Sequence, residues 1–229
     1  PGRPVDKYLP TGPGSDFLRD LMKRSEAVLR DHPVNVARRS RGEIPATSIW
    51  LFWGSGPVPD MPPFKEVYRL KAAMTSGVDL LRGLAQMAGM DVLDIKGVTD
   101  GLDNDHAAQA VGALDALQKC DLVVIHIEAP DEAAHAGSVR DKVSAIEDID
   151  KEVVSRLRSW RGDLFRVLVL PDHPTPITVQ THTAAPVPFM LWGAGFKANG
   201  AKKFTESEAK NTGFFIEEGY KIMGRLLRA

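Results

Sequence analysis

Residues 121–137, DLVVIHIEAPDEAAHAG, set an apolar run, a proline turn and a helix start in immediate succession. A short apolar run closed by a turn signal reads as a buried strand, and Pro130 followed by acidic residues reads as a first helical turn. Asp131 and His135 then lie four residues apart, on one helical face. A strand end that delivers a carboxylate and an imidazole is where an α/β protein places its chemistry.

The pattern around this stretch repeats the logic. A strand-like KAAMTS precedes a helix over 78–88 closed by Gly89, then a strand MDVLDI, a helix over 105–118 and the strand 121–127. Strands alternating with helices imply a mainly parallel sheet with helices on both faces. An amphipathic helix over 138–160 follows, with Val143, Ile146, Ile149, Val153, Val154 and Leu157 on its apolar side. RVLVL (166–170) and PFMLWG (188–193) read as further strands, and 212–227 as a C-terminal helix.

Upstream, Ser15 is expected to cap a helix over 15–29 whose apolar stripe, from Phe17 to Leu29, packs. HPVNVARR reads first as a solvated basic loop, with anion binding as the rival. SIWLFWGSG (48–56) reads as a strand, its Trp50 and Trp53 as core or domain-contact residues. GPVPDMPP (56–63) holds four prolines in eight residues, a stiff connector that divides the chain into 1–62 and 63–229.

Twenty-nine basic against 30 acidic residues leave a net charge of -1, which gives no reason to expect nucleic acid or an anionic membrane as partner. No apolar run approaches the roughly 20 residues a bilayer span needs, and no signal peptide precedes the first helix, so a cytoplasmic location is expected. A single cysteine, Cys120, excludes an internal disulfide and reads as a buried, inert thiol. The opening, PGRPVDKYLPTGPGS, starts at Pro1 as turn-rich coil and reads as a chain whose beginning is missing or processed away.

Six histidines are present, and His135, His173 and His182 follow predicted strands close to Asp131 or Asp172. His126, inside its strand, reads as a satisfied core residue. Mixed carboxylate and imidazole ligation suits Mn or Zn, and two such ions suit phosphoryl transfer. Asp and His also populate ordinary turns, so on spacing alone metal binding and plain turn chemistry both stay open. Glu128 reads as an outer support of the site, and Glu132 as a charge complementing the helix dipole.

Taken together, HPVN, IWLFWGSG, VIHIEAPDEAAHAG, KVSAIEDID, LVLPDHPTPI and THTAAPVPF resemble the cofactor-independent phosphoglycerate mutase family in its compact archaeal-type form, within the alkaline phosphatase superfamily. The resemblance runs from about Tyr8 to the C-terminus. It implies an alkaline-phosphatase-like α/β core over 63–229, preceded by the end of an inserted substrate-binding domain. It implies two divalent ions, commonly Mn with Zn as the alternative: Asp131, His135 and His182 resemble the ligands of one, Asp172 and His173 those of the other. The family's remaining ligand, an Asp in an N-terminal D-G motif, and the nucleophilic Ser of a segment shortly after it have no counterpart among these 229 residues, so this polypeptide alone is expected to be inactive or badly impaired.

By the same resemblance the substrate is a small phosphorylated acid, 3-phosphoglycerate being interconverted with 2-phosphoglycerate. His32, Asn35 and Arg38 become the substrate-side candidates. One departure is visible: where the family commonly reads G-x-L-D-T-N-Y-x-x-K, residues 100–109 read DGLDNDHAAQ, so His106 takes the Tyr position and Gln109 the Lys position. Two rivals remain, a homoserine-type kinase on the same scaffold and a non-catalytic metal-binding remnant. Oligomeric state is not legible in the sequence.

Overall fold

The structure is a computed structural model that describes residues 4–51, 56–160 and 164–228. The chain divides into two compact units, residues 1–60 and 61–229.

Among its described residues the first unit holds a 3₁₀ turn (Asp6–Tyr8) and two α-helices, α1 (Ser15–Arg30) and α2 (Pro33–Ser40). Gly14, not Ser15, occupies the cap position of α1, at φ 83, and its side-chain-free backbone takes the left-handed turn that Ser would resist. Of the apolar stripe on α1 only Met22 is buried, while Phe17, Leu18 and Val28 are exposed, so the expected packing face is largely open within this chain. HPVNVARR is not a loop. Pro33 fixes the first helical φ, and the His32 Nδ1 accepts from the Val34 N–H at 3.3 Å, which together start α2. Residues 48–51 form no strand, and the remainder of the predicted strand, with Trp53, lies outside the described residues. Trp50 is exposed rather than core.

In the second unit a short α3 (Phe64–Tyr68) leads into β1 (Ala72–Thr75), α4 (Asp79–Met87), β2 (Asp91–Val92), α5 (His106–Ala116) and β3 (Leu122–Ile125). The three strands form a parallel sheet in the order β2-β1-β3, with Ala72 opposite Leu122 and Thr75 opposite Ile125. Parallel neighbours need crossovers, which α4 and α5 supply. Asp105 caps α5 by accepting from the Ala108 N–H at 2.9 Å.

Helix α6 (Ala129–His135) starts on Pro130 and is followed by α7 (Val139–Asp148), capped by the Ser138 hydroxyl. The predicted single helix to residue 160 continues through a π-helical stretch, Ile149–Val154, into α8 (Ser155–Ser159). β4 (Arg166–Val169) and β5 (Met190–Gly193) then pair antiparallel, Val169 opposite Met190. The predicted C-terminal helix over 212–227 forms only in its second half: α9 (Glu206–Asn211) precedes it and is ended by Gly213 at φ 68, and α10 (Ile222–Arg228) begins only after a 3₁₀ turn.

The core that holds the sheet to its helices is built mainly from small residues: Ala72, Ala73, Ala110, Ala113, Ala129, Ala133 and Ala134 are all buried. Alanine lets helices approach the sheet closely, and the largest fully buried side chains are polar, Gln109, Thr75 and Ser76. Among the described residues no helix is long and apolar enough to cross a membrane.

Candidate metal centre

The segments that follow β3 and β4 carry the predicted ligands, and the fold brings Asp131, His135, His173 and His182 together, with Asp172 touching its neighbour His173. Asp131 is the hub. Its carboxylate lies 3.1 Å from the His135 Nε2, one helical turn on, and 3.6 Å from the His182 Nε2. The two histidines also meet, Nε2 to Nε2, at 3.1 Å. The His173 ring stacks on that of His182 with centroids 3.7 Å apart, and its Nε2 is 3.3 Å from Asp172. Ligand atoms of Asp131, His173 and His182 all fall within 4.8 Å of one another.

Backbone contacts hold these loops in register. The Thr183 N–H donates to the Pro174 carbonyl at 3.0 Å, tying the His182 segment to the Asp172 loop. The His135 Nδ1 lies 2.9 Å from the Gln180 carbonyl. A carbonyl can only accept, so Nδ1 carries a proton, and in the neutral ring Nε2 then turns a lone pair toward Asp131 and His182. Gln180 adopts φ 55, a left-handed conformation uncommon for a residue with a side chain, and its carbonyl is the one that orients His135.

These separations suit a cation. Two imidazole nitrogens each about 2.1 Å from one ion stand about 3.0–3.4 Å apart for cis-octahedral or tetrahedral coordination. Two lone pairs and a carboxylate facing one another without a positive charge would repel. His135 is 36% and His182 49% exposed against 18% for Asp131, so the cluster opens to solvent on its histidine side.

A second chain of contacts backs the first. The Val78 N–H donates to the Ser76 Oγ at 3.0 Å, leaving the Ser76 hydroxyl proton for the His126 Nδ1, also at 3.0 Å. The other ring nitrogen of His126 is 3.3 Å from Glu128. His126 is therefore no isolated core histidine but a link between buried Ser76 and the Glu128 carboxylate. Burial holds His126 below its ordinary range and so favours the neutral ring that this chain requires. Glu128 is raised, by burial first and then by the negative charges of Asp131, Asp172 and Glu132. Glu128, Asp131 and Glu132 form a further set of ligand atoms within 4.8 Å, so a cation near Asp131 would relieve the crowding.

The Lys-to-Gln departure has a structural account. Gln109 is fully buried, accepts from the Asn104 Nδ2 at 2.9 Å, and donates to the His126 carbonyl at 2.9 Å and toward the Thr75 hydroxyl at 3.3 Å. It is a neutral brace between α5 and the ends of β1 and β3. His106 is buried with its Nε2 lacking a hydrogen-bond partner, and burial lowers its pKa.

The substrate-side candidates lie in the other compact unit, and all three make local contacts there. Asn35 is 3% exposed and spends its amide on the Leu29 and Ala46 carbonyls, at 2.7 and 2.8 Å, and on the Ala46 N–H, at 2.9 Å. Arg38 donates through Nε to the Ile44 carbonyl at 2.8 Å and stands 3.6 Å from Glu43. His32 serves as the α2 cap. Sequence reasoning missed Thr175, Ser76 and Gln180, because a lone hydroxyl or amide in a turn carries no pattern.

Residues 16–222 match the model of the Metalloenzyme superfamily, and the chain belongs to that superfamily. Within it, the chain is 46% identical over 229 residues to a protein of Methanothrix thermoacetophila named 2,3-bisphosphoglycerate-independent phosphoglycerate mutase, covering 99% of this chain and 58% of that one. It is 41% identical to the Methanosarcina barkeri protein of the same name, again over 58% of the relative's length. The solved cofactor-independent phosphoglycerate mutase of Thermoplasma acidophilum superposes with a TM-score of 0.60 at 26% identity, over 99% of this chain and 54% of that one. A Pyrococcus horikoshii protein gives a TM-score of 0.69 at 29% identity, over 72% of this chain and 50% of that one. The chain thus spans a little over half the length of its curated relatives, and its α/β architecture is the alkaline-phosphatase-like one of this superfamily.

Proposed function

We propose that this chain supplies the metal-binding part of a cofactor-independent phosphoglycerate mutase that interconverts 3-phosphoglycerate and 2-phosphoglycerate. The observation that carries the reading is the convergence of Asp131, His135 and His182 at 3.1–3.6 Å, with Asp172 and His173 alongside. The names borne by relatives at 41–46% identity support the substrate. Asp131, His135 and His182 would hold one divalent ion, and Asp172 and His173 part of the shell of a second. Mn is the proposed native metal, with Zn as the alternative, since both accept mixed imidazole and carboxylate shells. Such ions neutralise the oxyanions of a transferring phosphoryl group and lower the pKa of a bound hydroxyl.

The chain's own residues do the preparatory work. Gln180 fixes which nitrogen His135 presents, and the Ser76–His126 pair steadies Glu128 beside the cluster. His32, Asn35 and Arg38 stay proposed as the substrate side, with Asn35 contributing by shaping the segment rather than by direct contact, since its amide is already engaged. The family's serine nucleophile has no counterpart here, so the reading expects metal uptake without turnover from these 229 residues. A glycolytic or gluconeogenic place in the cytoplasm follows from the same reading.

The test pairs Mn and Zn uptake by the purified chain with a mutase assay on 3-phosphoglycerate. Stoichiometric uptake without turnover is expected. Absence of uptake contradicts the metal centre, and turnover by this polypeptide contradicts the placement of the nucleophile elsewhere.

A further inference from the structure

Thr175 is 5% exposed and lies between the two halves of the cluster. Its hydroxyl donates to the Asp131 Oδ1 and stands 3.2 Å from the His173 Nδ1. Its own carbonyl accepts from the Lys142 Nζ at 2.8 Å, which anchors the turn to α7.

The hydrogens in this arrangement are constrained. A carboxylate offers only lone pairs, so the single hydroxyl proton of Thr175 goes to Asp131. The oxygen is then an acceptor on its other side, and the contact with His173 is satisfied only if Nδ1 carries the imidazole proton. In the neutral ring that leaves the His173 Nε2 as a lone pair on the Asp172 side, 3.3 Å from its carboxylate and open to a cation between them. The same logic gives His135 a protonated Nδ1 through Gln180. Both histidines are thereby set with Nε2 free, one by a backbone carbonyl and one by Thr175.

We propose that Thr175 is a positioning residue that sets the tautomer of His173 and couples it to Asp131, so that the ligands assigned to the two ions are oriented by one buried hydroxyl. This rests on the metal-centre reading above for its consequence, but its effect on His173 holds with no ion bound. Partners of this kind orient ligands and raise their basicity, and losing one typically costs about 10–100-fold in metal affinity.

The experiment compares the wild-type chain with Thr175→Val and Thr175→Ser. Nitrogen-15 histidine spectra of the ion-free chain read the tautomer, and calorimetric titration with Zn alone reads affinity. Wild type and Thr175→Ser are expected to show His173 protonated at Nδ1 and to bind Zn alike. Thr175→Val is expected to lose that preference and to bind Zn about 10–100-fold more weakly. An unchanged tautomer and affinity in Thr175→Val overturn the proposal. Should Thr175→Val fail to fold, the wild-type spectrum still decides, because a His173 protonated at Nε2 contradicts it. A wild type that takes up no Zn yet shows the Nδ1 proton, lost in Thr175→Val, contradicts the metal reading and supports the role of Thr175.

Discussion

His135 and His182 meet Nε2 to Nε2 at 3.1 Å although 47 residues separate them in the chain. The contact exists because α6 presents His135 at its last turn and the segment after Pro176 folds back to place His182 over Asp131. Gln180 stands at the crossing, its carbonyl bonded to His135 and its backbone left-handed. Any change that lets residue 180 relax should free His135. Gln180→Pro, which locks φ near −65°, is therefore expected to weaken Zn binding about 10–100-fold while Gln180→Gly, which keeps the left-handed option, is expected to retain it. Titration calorimetry on the two variants checks this.

Asn35 predicts a stability effect distinct from a binding one. Asn35→Leu leaves the Ala46 carbonyl and the Ala46 N–H without their partner, while the Leu29 carbonyl keeps the His32 N–H, and unsatisfied buried groups cost about 1–3 kcal/mol each. Urea denaturation of the N-terminal unit should show a loss of at least that order. Unchanged stability would return Asn35 to the list of free substrate ligands.

Gly77 sits directly after Ser76, where the backbone of Thr99 and Asp100 closes on the end of β1. A Cβ there would stand 2.2 Å from the Thr99 carbonyl carbon, which is backbone and has no rotamer to yield. Gly77→Ala is expected to destabilise by about 1–3 kcal/mol or more, read by denaturant unfolding.

His106 predicts a pH dependence. Burial lowers its pKa from the ordinary 6.5, while its charged neighbours, Asp148 first, pull weakly the other way. A depressed folded pKa means the unfolded chain binds the proton more readily, so stability is intact above about pH 6.5 and declines as pH falls through the folded value. His126 shifts in the same direction for the same cause. His106→Phe is expected to flatten the acid limb of the stability curve, by at most about 1.4 kcal/mol per pH unit for one proton. An unchanged acid limb would contradict it.

The α/β character, and the residues that make up the candidate site, were legible for a physical reason. Strand ends followed by Asp131, His135, Asp172 and His173 combine a period-based signal with residue types that have few cheap uses side by side. What was not legible depends on partners far along the chain. His126 looked like core because alternation says nothing about Ser76, 50 residues earlier, or about the Glu128 carboxylate beside it. HPVNVARR looked like a loop because its cap comes from an imidazole, an unusual capping group. The helix read over 212–227 followed local propensity, which the left-handed Gly213 overrode, and of the strand read at 48–56 the described residues 48–51 take no part in a sheet.

The most direct measurement is the divalent metal content of the purified chain and of Asp131→Ala, His135→Ala and His182→Ala, by elemental analysis after equilibrium dialysis against Mn or Zn. One tightly held ion per wild-type chain is expected, with a second held more weakly through Asp172 and His173, and each of the three substitutions should remove the tight ion. Full metal content in Asp131→Ala would contradict the centre proposed here.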